Sequence, residues 1–448
     1  MVTARILAYQ ILLQLEQKAS HTDRLIRAAL DRHSGLEERD RALFTELVYG
    51  TVRWRGRLDW HIDRLSKTKP EKIAAPVRVL LRLALYQILF LDRVPAHAAV
   101  NETVNLAKTS QPVHVVRFIN GLLREAARRG EDWDWPDRAK DPEAFISVTT
   151  SHPAWLVQKL VGQIGFDETA LFCESSNRVA PAAFRVNTLK ATRALAVESL
   201  AEDGVEAVSS PHLLHALRVP APRRDMTRTR AFIEGWIQAQ DEASQLVAHL
   251  MAPARGDRVL DLCCGFGVKS AHLAIFMENE GEVVSVDRSA WKLEDLEKSA
   301  QRQGIGIIRS LDADLLQLDP GKTGLFDRVL IDAPCTGFGA IRRNPDIKWN
   351  RHIKDPYRMS QLQAELLDRA ALFVKSGGTL VYATCTVLAD ENETVARTFS
   401  EAHSEFGLDK ASDYLPESCA DMVSGPYLRS WPHRHDVDGF FGARWRKE

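Results

Sequence analysis

The sequence predicts a multidomain protein with an all-α N-terminal domain, a small α+β module and a C-terminal α/β domain built on a doubly wound sheet. The 448 residues exceed the usual size of one domain. Apolar residues recur at three- and four-residue steps through the first third, which is the helical period. From Asp257 onward, short Val/Ile/Leu-rich runs alternate with longer helical segments, a pattern typical of a parallel sheet.

The N-terminal domain is predicted to span residues 1–130. Its helical periodicity is clearest in four stretches: Ile6–Leu15, Leu43–Tyr49, Val79–Leu91 and Val115–Leu123. Residues 131–150 carry six acidic residues, two basic residues and two prolines, which indicates a linker. Residues 151–220 then combine the strand-like runs AAFRVNTLK and LHALRVP with a helix from Arg193 to Asp203, which indicates a small α+β module.

The C-terminal domain is predicted over residues 221–448. Its expected strands are DRVLDLC, EVVSVD, IGIIRSLD, FDRVLIDAP and GTLVYATC, with helices after Lys269, from Ser289, from Asp355 to Lys375 and from Asp390. The last run, GFFGARWR, is followed by no helix, so we expect an antiparallel edge strand there. In open sheets of this kind, ligands bind beyond the carboxyl ends of the strands.

Charge and cysteine content exclude several classes of protein. The chain has 59 Lys and Arg residues and 60 Asp and Glu residues, which gives a net charge of −1. The first 130 residues hold 22 basic and 13 acidic residues, a net charge of +9, so the remaining residues carry a net charge of −10. The chain is therefore not polybasic as a whole, although its N-terminal third is basic. Six scattered cysteines indicate a reducing, cytoplasmic compartment. The longest apolar stretch is too short to form a helix that spans a bilayer. We expect a monomer that binds neither a membrane nor a metal ion.

The stretch from Asp261 to Ser270, DLCCGFGVKS, ends a strand and opens a helix, with glycines that let the backbone approach a ligand closely. A dinucleotide site would have glycine where Ser270 stands, and an isolated glycine-rich turn can simply be a tight connection. Asp287, Asp312 and Asp332 end the next three strands, so carboxylates follow successive strands on one edge of the sheet. This spacing suits S-adenosylmethionine at least as well as a dinucleotide.

Two cysteines follow neighbouring strands, Cys335 in DAPCTG and Cys385 in ATCT. A lone cysteine is usually a small buried residue, but two thiols at adjacent strand ends indicate a shared cleft. A thiolate beside a methyl donor suits a pyrimidine, because sulfur addition at carbon 6 makes carbon 5 nucleophilic and a second group must later help remove the carbon-5 proton. Asp332 could hydrogen-bond the cytosine edge. The residues alone do not establish which thiol attacks.

Basic residues interleaved with aromatic ones suggest RNA contacts. Arg342, Arg343 and Lys348 stand near Trp349 after the Pro-Cys motif, and Arg53 and Arg55 flank Trp54 in the helical domain. A solvated loop is the alternative interpretation. Because a cytosine must leave its stack to meet a thiolate, the target is expected in a single strand or loop.

These motifs carry a family resemblance. DAPCTGFGAIRRNPDIKW, SGGTLVYATCTVLADEN and AQDEASQLVAHL resemble the Sun-type, RsmB-like rRNA (cytosine-5)-methyltransferases. ERDRALFTELVYGTVRWRGRLDWHID and LRLALYQILFLDRVPAHAAVNETVNLAK resemble the NusB-like RNA-binding domain fused to those enzymes, and DGFFGARW resembles their closing strand. The resemblance spans nearly the whole chain.

The resemblance implies a Rossmann-like class I methyltransferase domain that uses S-adenosylmethionine to methylate carbon 5 of a cytidine in small-subunit (16S) rRNA. It implies that Cys385 is the nucleophile and that Cys335 helps release the product. The implied cofactor contacts are Cys263, Cys264, Gly265, Phe266, Gly267, Val268, Lys269, Asp287, Asp312 and Asp332.

The cofactor loop departs from the family's usual Cys-Ala-Ala-Pro-Gly-Gly-Lys-Thr at two positions, where Phe266 replaces proline and Val268 replaces glycine. If Val268 required φ > 0, strain of order 1–2 kcal/mol would weaken cofactor binding. The alternative function is therefore a non-catalytic RNA-binding ribosome-assembly factor. A dinucleotide oxidoreductase ranks third, since it explains neither the paired cysteines nor the basic segments.

Overall fold

The computed structural model describes residues 3–17, 21–130, 132–220 and 225–448. It divides into two compact units: unit 1 comprises Met1–Asn177 together with Arg343–His352, and unit 2 comprises Arg178–Arg342 together with Ile353–Glu448. The start of the predicted linker at residue 131, and residues 221–224 at the predicted start of the C-terminal domain, lie outside the described residues.

Unit 1 is helical, as the periodicity predicts. Its helices are α1 (Ala4–Gln17), α2 (Thr22–Arg32), α3 (Glu38–Arg53), α4 (Arg55–Leu65), α5 (Ala75–Phe90), α6 (Ala96–Lys108), α7 (Val113–Arg129), α8 (Pro142–Thr149), α9 (Ala154–Ile164) and α10 (Phe166–Ser176). Helix α5 is buried continuously from Val79 to Gln87 and contributes much of the core. In α7, Ile119, Leu122 and Leu123 form a buried stripe at helical spacing.

The segment predicted as a linker is packed rather than extended through solvent. Trp133 is buried, and Trp135 stacks on Trp60 of α4 with ring centroids 4.8 Å apart. The Asp141 side chain then caps α8 by accepting a hydrogen bond from the Ala144 amide at 3.0 Å. The acidic composition suggested a linker, whereas the two indole rings bury enough apolar surface to fix the segment on α4.

Unit 2 begins at Arg178, inside the predicted small module of residues 151–220, and continues into the large domain. Its helices are α11 (Arg193–Glu202), α12 (Arg230–Ile233), α13 (Glu242–Met251), α14 (Val268–Phe276), α15 (Ala290–Gln303), α16 (Pro320–Thr323), α18 (Asp355–Ala371), α19 (Glu393–Ala402) and α20 (Pro432–His435); α17 (Ile347–Asn350) lies in the segment grouped with unit 1. A four-stranded antiparallel sheet of order β2-β3-β1-β4 contains β1 (Ala182–Val186), β2 (Val208–Ser209), β3 (Ala216–Val219) and β4 (Ile237–Ala239).

The large sheet has nine strands: β5 (Arg258–Leu262), β6 (Glu282–Asp287), β7 (Ile308–Asp312), β8 (Phe326–Asp332), β9 (Val374–Thr384), β10 (Phe406–Leu408), β11 (Val423–Ser424), β12 (Tyr427–Ser430) and β13 (Phe440–Lys447). Their order is β11-β12-β13-β9-β8-β5-β6-β7, with β10 also paired to β13. Strands β5 to β9 are parallel, and the predicted mixed α/β class is confirmed. Helices on the sheet bury its Val- and Leu-rich strands.

One detail of the predicted sheet is wrong. Strand β13 is antiparallel to β9, as expected, but it is not an edge strand because β12 pairs with its other side. The short strands β11 and β12 carry no long apolar run, so the sequence pattern did not reveal them. Among the described residues, every helix is too short or too polar to cross a bilayer.

Candidate active site

The carboxyl ends of the parallel strands surround one cavity of about 420 Å³. Residues from four strand ends line it: Cys263 and Gly265 after β5, Asp287 at the end of β6, Ala313 and Asp314 after β7, and Asp332 with Cys335 after β8. Cys385, after β9, completes the wall. This is the position at which open α/β sheets bind ligands.

In the loop from Cys263 to Lys269, two residues line the cavity: Cys263 and Gly265. Gly265 has φ +57°, and no atom lies within 4 Å of where its Cβ would be, so its backbone is open to a ligand. Gly267 serves packing instead, because a Cβ there would come within 2.3 Å of the Leu296 side chain. Cys264 is buried in the same cluster against Leu293 and Leu296.

The strain expected at Val268 does not arise. Val268 is the first residue of α14, and Cys263, with φ +60°, is the loop residue other than glycine that adopts the left-handed conformation. Phe266 is 47% exposed, and its ring meets Trp291 edge-on with centroids 5.3 Å apart. It therefore does not add bulk to the wall of the cavity.

The strand-end carboxylates have different environments. Asp287 accepts hydrogen bonds from the amides of Gly265 at 3.0 Å and Ser289 at 2.9 Å, which fixes its carboxylate at the cavity wall. Asp312 pairs in register with Asp287 but is exposed, and Asp314 lines the cavity in its place. Sequence reasoning missed Asp314, although the Asp-Ala-Asp spacing places a second carboxylate just past the strand.

Asp261 is not at the cavity surface. It is buried within β5, where Ser270 donates a hydrogen bond to its carboxylate at 2.6 Å. Burial raises the pKa of Asp261 to about 7, partly opposed by that hydrogen bond. Asp261 therefore belongs to the support of the loop rather than to the ligand surface.

Asp332 forms a close ion pair at the cavity wall. The Lys269 ammonium donates to its carboxylate at 2.6 Å, and the two side chains are 13% and 29% exposed. Burial opposes the charged form of Lys269, but the Asp332 carboxylate outweighs it and raises the pKa of Lys269. The Cys385 thiolate also favours the Lys269 cation, so a fixed positive charge lies near that sulfur.

The two predicted thiols are brought together. The Sγ atoms of Cys335 and Cys385 lie 3.4 Å apart, and both residues line the cavity. The hydrogen bond to Cys385, followed by burial, raises the pKa of Cys335 well above its usual value. The two sulfur atoms are thus within hydrogen-bonding distance of each other, and either can act as the donor.

The other four cysteines are held as thiols. Burial raises the pKa of Cys173 and Cys263 to about 12, that of Cys419 to about 11, and that of Cys264 further still. All six cysteines are unbridged. What distinguishes Cys335 and Cys385 is their geometry, because both line the cavity and their sulfur atoms are in contact.

Several residues predicted to contact RNA are buried. Arg342 is held by ion pairs to Asp436 at 2.9 Å and Asp438 at 3.1 Å. The Lys348 ammonium, fully buried, donates to the Arg53 carbonyl at 2.7 Å and to Asn177 at 3.0 Å. A phosphate could not reach either cation in this structure, so Arg342 and Lys348 are corrected to structural positions.

The remaining predicted RNA contacts are partly buried in unit 1. The Trp349 indole N–H donates to the Val52 carbonyl at 2.7 Å, and its ring lies under the Arg55 guanidinium at 5.7 Å. Arg55 also pairs with Glu16 at 3.2 Å, Arg53 is buried, and Arg343 is half-buried. Basic residues beside an aromatic one looked like an RNA surface in the sequence, whereas the fold uses much of this group for packing.

The residues around the cavity fit S-adenosylmethionine. Asp287 offers a fixed carboxylate for ribose hydroxyls, Gly265 offers open backbone, and Leu315 and Leu316 offer apolar surface for an adenine ring. Arg288 and Lys292 are further lining residues that sequence reasoning missed. Among the described residues, no group of three or more His, Cys, Asp or Glu side chains is arranged to hold a metal ion.

Comparison with known proteins gives three family matches in chain order. A model described as NusB family matches residues 2–128, one described as an RsmF/B-like ferredoxin-like domain matches residues 152–225, and one described as 16S rRNA methyltransferase RsmB/F matches residues 248–446.

Curated and solved proteins are similar over long stretches. The chain is 35% identical over 448 residues to the probable ribosomal RNA small subunit methyltransferase B of Bacillus subtilis, covering 100% of this chain and 99% of that protein. It is 38% identical over 379 residues to ribosomal RNA small subunit methyltransferase B of Pseudomonas putida, with 83% of each covered. The crystal structure of PH0851 matches with TM-score 0.82 and 30% identity over 100% of this chain and 99% of that one. NSun6 from Pyrococcus horikoshii, solved with SFG, shares the fold with TM-score 0.59 and 21% identity over 66% and 98%.

Proposed function

The chain belongs to the RsmB/F family of 16S rRNA methyltransferases, and from this membership we propose that it methylates carbon 5 of a cytidine in small-subunit rRNA through a covalent cysteine adduct. The methyl donor in this proposal is S-adenosylmethionine. The observation that carries the proposal is the pair of thiols 3.4 Å apart in a cavity whose other wall suits that cofactor.

When bound, S-adenosylmethionine supplies the electrophilic methyl group. The residues that would hold it are Asp287 and Gly265, with Leu315 and Leu316 against the adenine. In this proposal Asp314 takes part in place of Asp312, because Asp314 lines the cavity and Asp312 is exposed.

The protein's own groups account for the covalent steps. The Cys385 thiolate adds to carbon 6, and the electrons of the C5=C6 bond become available at carbon 5. Asp332, oriented by Lys269, accepts a hydrogen bond from the cytosine edge and favours protonation of the ring as the adduct forms. After methylation, the carbon-5 proton leaves through a relay that includes Cys335. The C5=C6 bond then re-forms, the S–C bond breaks and the Cys385 thiolate returns.

The test uses the full chain, labelled S-adenosylmethionine and small-subunit rRNA, with 5-methylcytosine measured by mass spectrometry. Cys385→Ala should abolish the product, and Cys335→Ala should accumulate a protein–RNA adduct that survives a denaturing gel. Cys419→Ala, at a buried position away from the cavity, is the matched control and should retain activity. Full activity of Cys385→Ala would refute the assignment of the nucleophile, and absence of the adduct in Cys335→Ala would refute its release role.

The alternative of a non-catalytic assembly factor is based on the departures at Phe266 and Val268. The helical conformation of Val268 and the position of both residues outside the cavity lining favour the enzyme. Calorimetry separates the two functions directly. Binding of S-adenosylmethionine at micromolar concentration supports the enzyme, while intact RNA binding without cofactor binding would support the assembly factor. Mapping methylated cytidines in rRNA from cells with and without this protein would identify the target.

A further inference from the structure

Glu391 and Asn392 lie directly after the Cys385 loop, and neither side chain touches the cavity. Both are fully buried. The proposed chemistry gives them no role, although a buried carboxylate is costly unless its hydrogen-bonding capacity is used. Their partners include Thr336, which follows Cys335, and Thr384 and Thr386, which flank Cys385.

On the Cys335 side, the Glu391 carboxylate accepts hydrogen bonds from the Thr336 amide at 2.8 Å and from the Thr336 hydroxyl at 2.5 Å. It also accepts one from the Gln363 side-chain amide at 3.2 Å, and Gln363 donates to the Pro334 carbonyl at 2.9 Å. Thr336, which follows Cys335, is thus bonded directly to this carboxylate, and Pro334, which precedes Cys335, is connected to it through Gln363.

On the Cys385 side, the Thr384 hydroxyl donates to the Asn392 side-chain carbonyl at 2.6 Å, and the Asn392 amide donates to the Thr386 carbonyl at 3.0 Å. The Thr386 hydroxyl donates to Glu391 at 3.3 Å and lies 3.0 Å from the Thr336 hydroxyl. The two residues that flank Cys385 are therefore held by the same pair of side chains.

The ionised form of Glu391 matches these partners. The Thr336 amide and the Gln363 amide can only donate, so the carboxylate must accept. Burial raises the pKa of Glu391, and the Thr336 hydrogen bonds oppose that rise. Breaking this network would remove the side-chain hydrogen bonds by which Glu391 and Asn392 hold the residues next to the two thiols.

We propose that Glu391 and Asn392 are positioning residues that set the separation and orientation of the Cys335 and Cys385 thiols. The catalytic consequence rests on the proposed function, whereas the geometric consequence does not. Small displacements of reacting groups cost about 100-fold in rate, so the brace formed by Glu391 and Asn392 should affect turnover without contacting RNA or cofactor.

The geometric test uses phenylarsine oxide, whose arsenic forms bonds to two neighbouring thiols and releases its oxygen as water with their two protons. Capture by the wild-type chain is followed by mass spectrometry. Cys335→Ala and Cys385→Ala define the background. We expect Glu391→Gln and Asn392→Asp, which preserve side-chain shape, to slow capture at least about tenfold. Glu401→Gln makes the same chemical change at an exposed site on α19 and should leave capture unchanged.

The kinetic test measures methyl transfer by the same variants. We expect kcat to fall by about 10- to 100-fold, while KM for RNA and the dissociation constant of S-adenosylmethionine stay within about twofold. Wild-type capture rates in both brace variants would overturn the proposal, and so would a loss confined to KM. If Glu391→Gln or Asn392→Asp fails to give a cooperative thermal transition, Thr386→Val, which removes one hydroxyl, decides in its place.

The two proposals fail separately. If the wild-type chain forms no 5-methylcytosine, the proposed function fails, but arsenical capture still reports on the brace. If the wild type methylates rRNA and the brace variants capture the arsenical normally, the brace is refuted and the proposed function stands.

Discussion

The Lys269–Asp332 ion pair gives a quantitative prediction about the site. Removing one partner leaves the other charged group largely buried and without a counter-charge. We consider Asp332→Asn, Lys269→Met and the double variant, because Asp332 lines the cavity and the pair distance is 2.6 Å. The quantity of interest is the coupling free energy from the double-mutant cycle.

The expected size follows from distance and burial. At 2.6 Å and an effective dielectric constant of about 20, the attraction is roughly 6 kcal/mol before desolvation is subtracted. Breaking a buried pair costs about 3–5 kcal/mol. Because the side chain of Asp332 is 29% exposed, we expect each single variant to lose about 2–4 kcal/mol of unfolding free energy and the coupling to be about 2–3 kcal/mol.

The assay is urea denaturation at pH 7.5, monitored by tryptophan fluorescence, with methyl transfer measured in parallel. The control pair is Lys375–Asp327, which has a similar distance of 2.8 Å but side-chain exposures of 41% and 36%. Its coupling should be at most about 1 kcal/mol. The double variant at the site should recover stability relative to either single variant but not activity.

A coupling for Lys269–Asp332 no larger than that of the exposed pair would refute the reasoning. It would mean that solvent screens the site pair as fully as a surface pair, and that Lys269 does not orient Asp332. Recovery of activity in the double variant would likewise remove Asp332 from the proposed chemistry.

Three further predictions concern buried or redirected residues. Burial raises the pKa of Asp261 to about 7, so the protonated carboxyl contributes to stability below pH 4 and this contribution is lost as pH rises through 7. In the wild type, this loss lowers the unfolding free energy by up to about 4 kcal/mol between pH 4 and pH 8. Asp261→Asn should remove that pH dependence. Lys348→Met should lower stability by about 1–3 kcal/mol by leaving the Arg53 carbonyl unpaired, whereas the exposed Lys354→Met should change it by less than about 0.5 kcal/mol. Phe266→Ala should leave the dissociation constant of S-adenosylmethionine, measured by calorimetry, within about twofold.

Each of these has a contrary result. An unchanged pH dependence in Asp261→Asn would show that the carboxyl titrates normally. Equal stability of the two lysine variants, measured by denaturation, would place Lys348 in solvent. A tenfold weaker cofactor affinity in Phe266→Ala would place its ring against the cofactor.

Much of the fold could be predicted from the sequence because periodicity is local. The helices of the N-terminal third and strands β5 to β9 follow from residues a few positions apart. The packed segment at Trp133 could not be predicted, because it depends on a partner in α4 that is distant in the chain. The pairing of β12 with β13 was missed because β12 is short and has no long apolar run.

In the candidate site, the sequence identified the reactive residues but not their burial or their roles. The two cysteines could be picked out because each follows a strand of the same parallel sheet. Their order could not be derived from the residues, because the two thiols follow neighbouring strands and either sulfur can donate to the other. The roles of Arg342 and Lys348 depend on burial, which no charge pattern reports.

The sequence by itself determined the domain classes, the cavity edge and the residue types available for chemistry, because these depend on periodicity and on the order of motifs along the chain. Tertiary structure alone decided which of those residues face the cavity, as Asp314 does and Asp312 does not. It also joined Glu391 to Thr336, 55 residues away in the chain, since hydrogen bonds between distant loops form only when the sheet is assembled. The sequence specifies which side chains are available, whereas the fold decides which of them are buried and which lie close to one another.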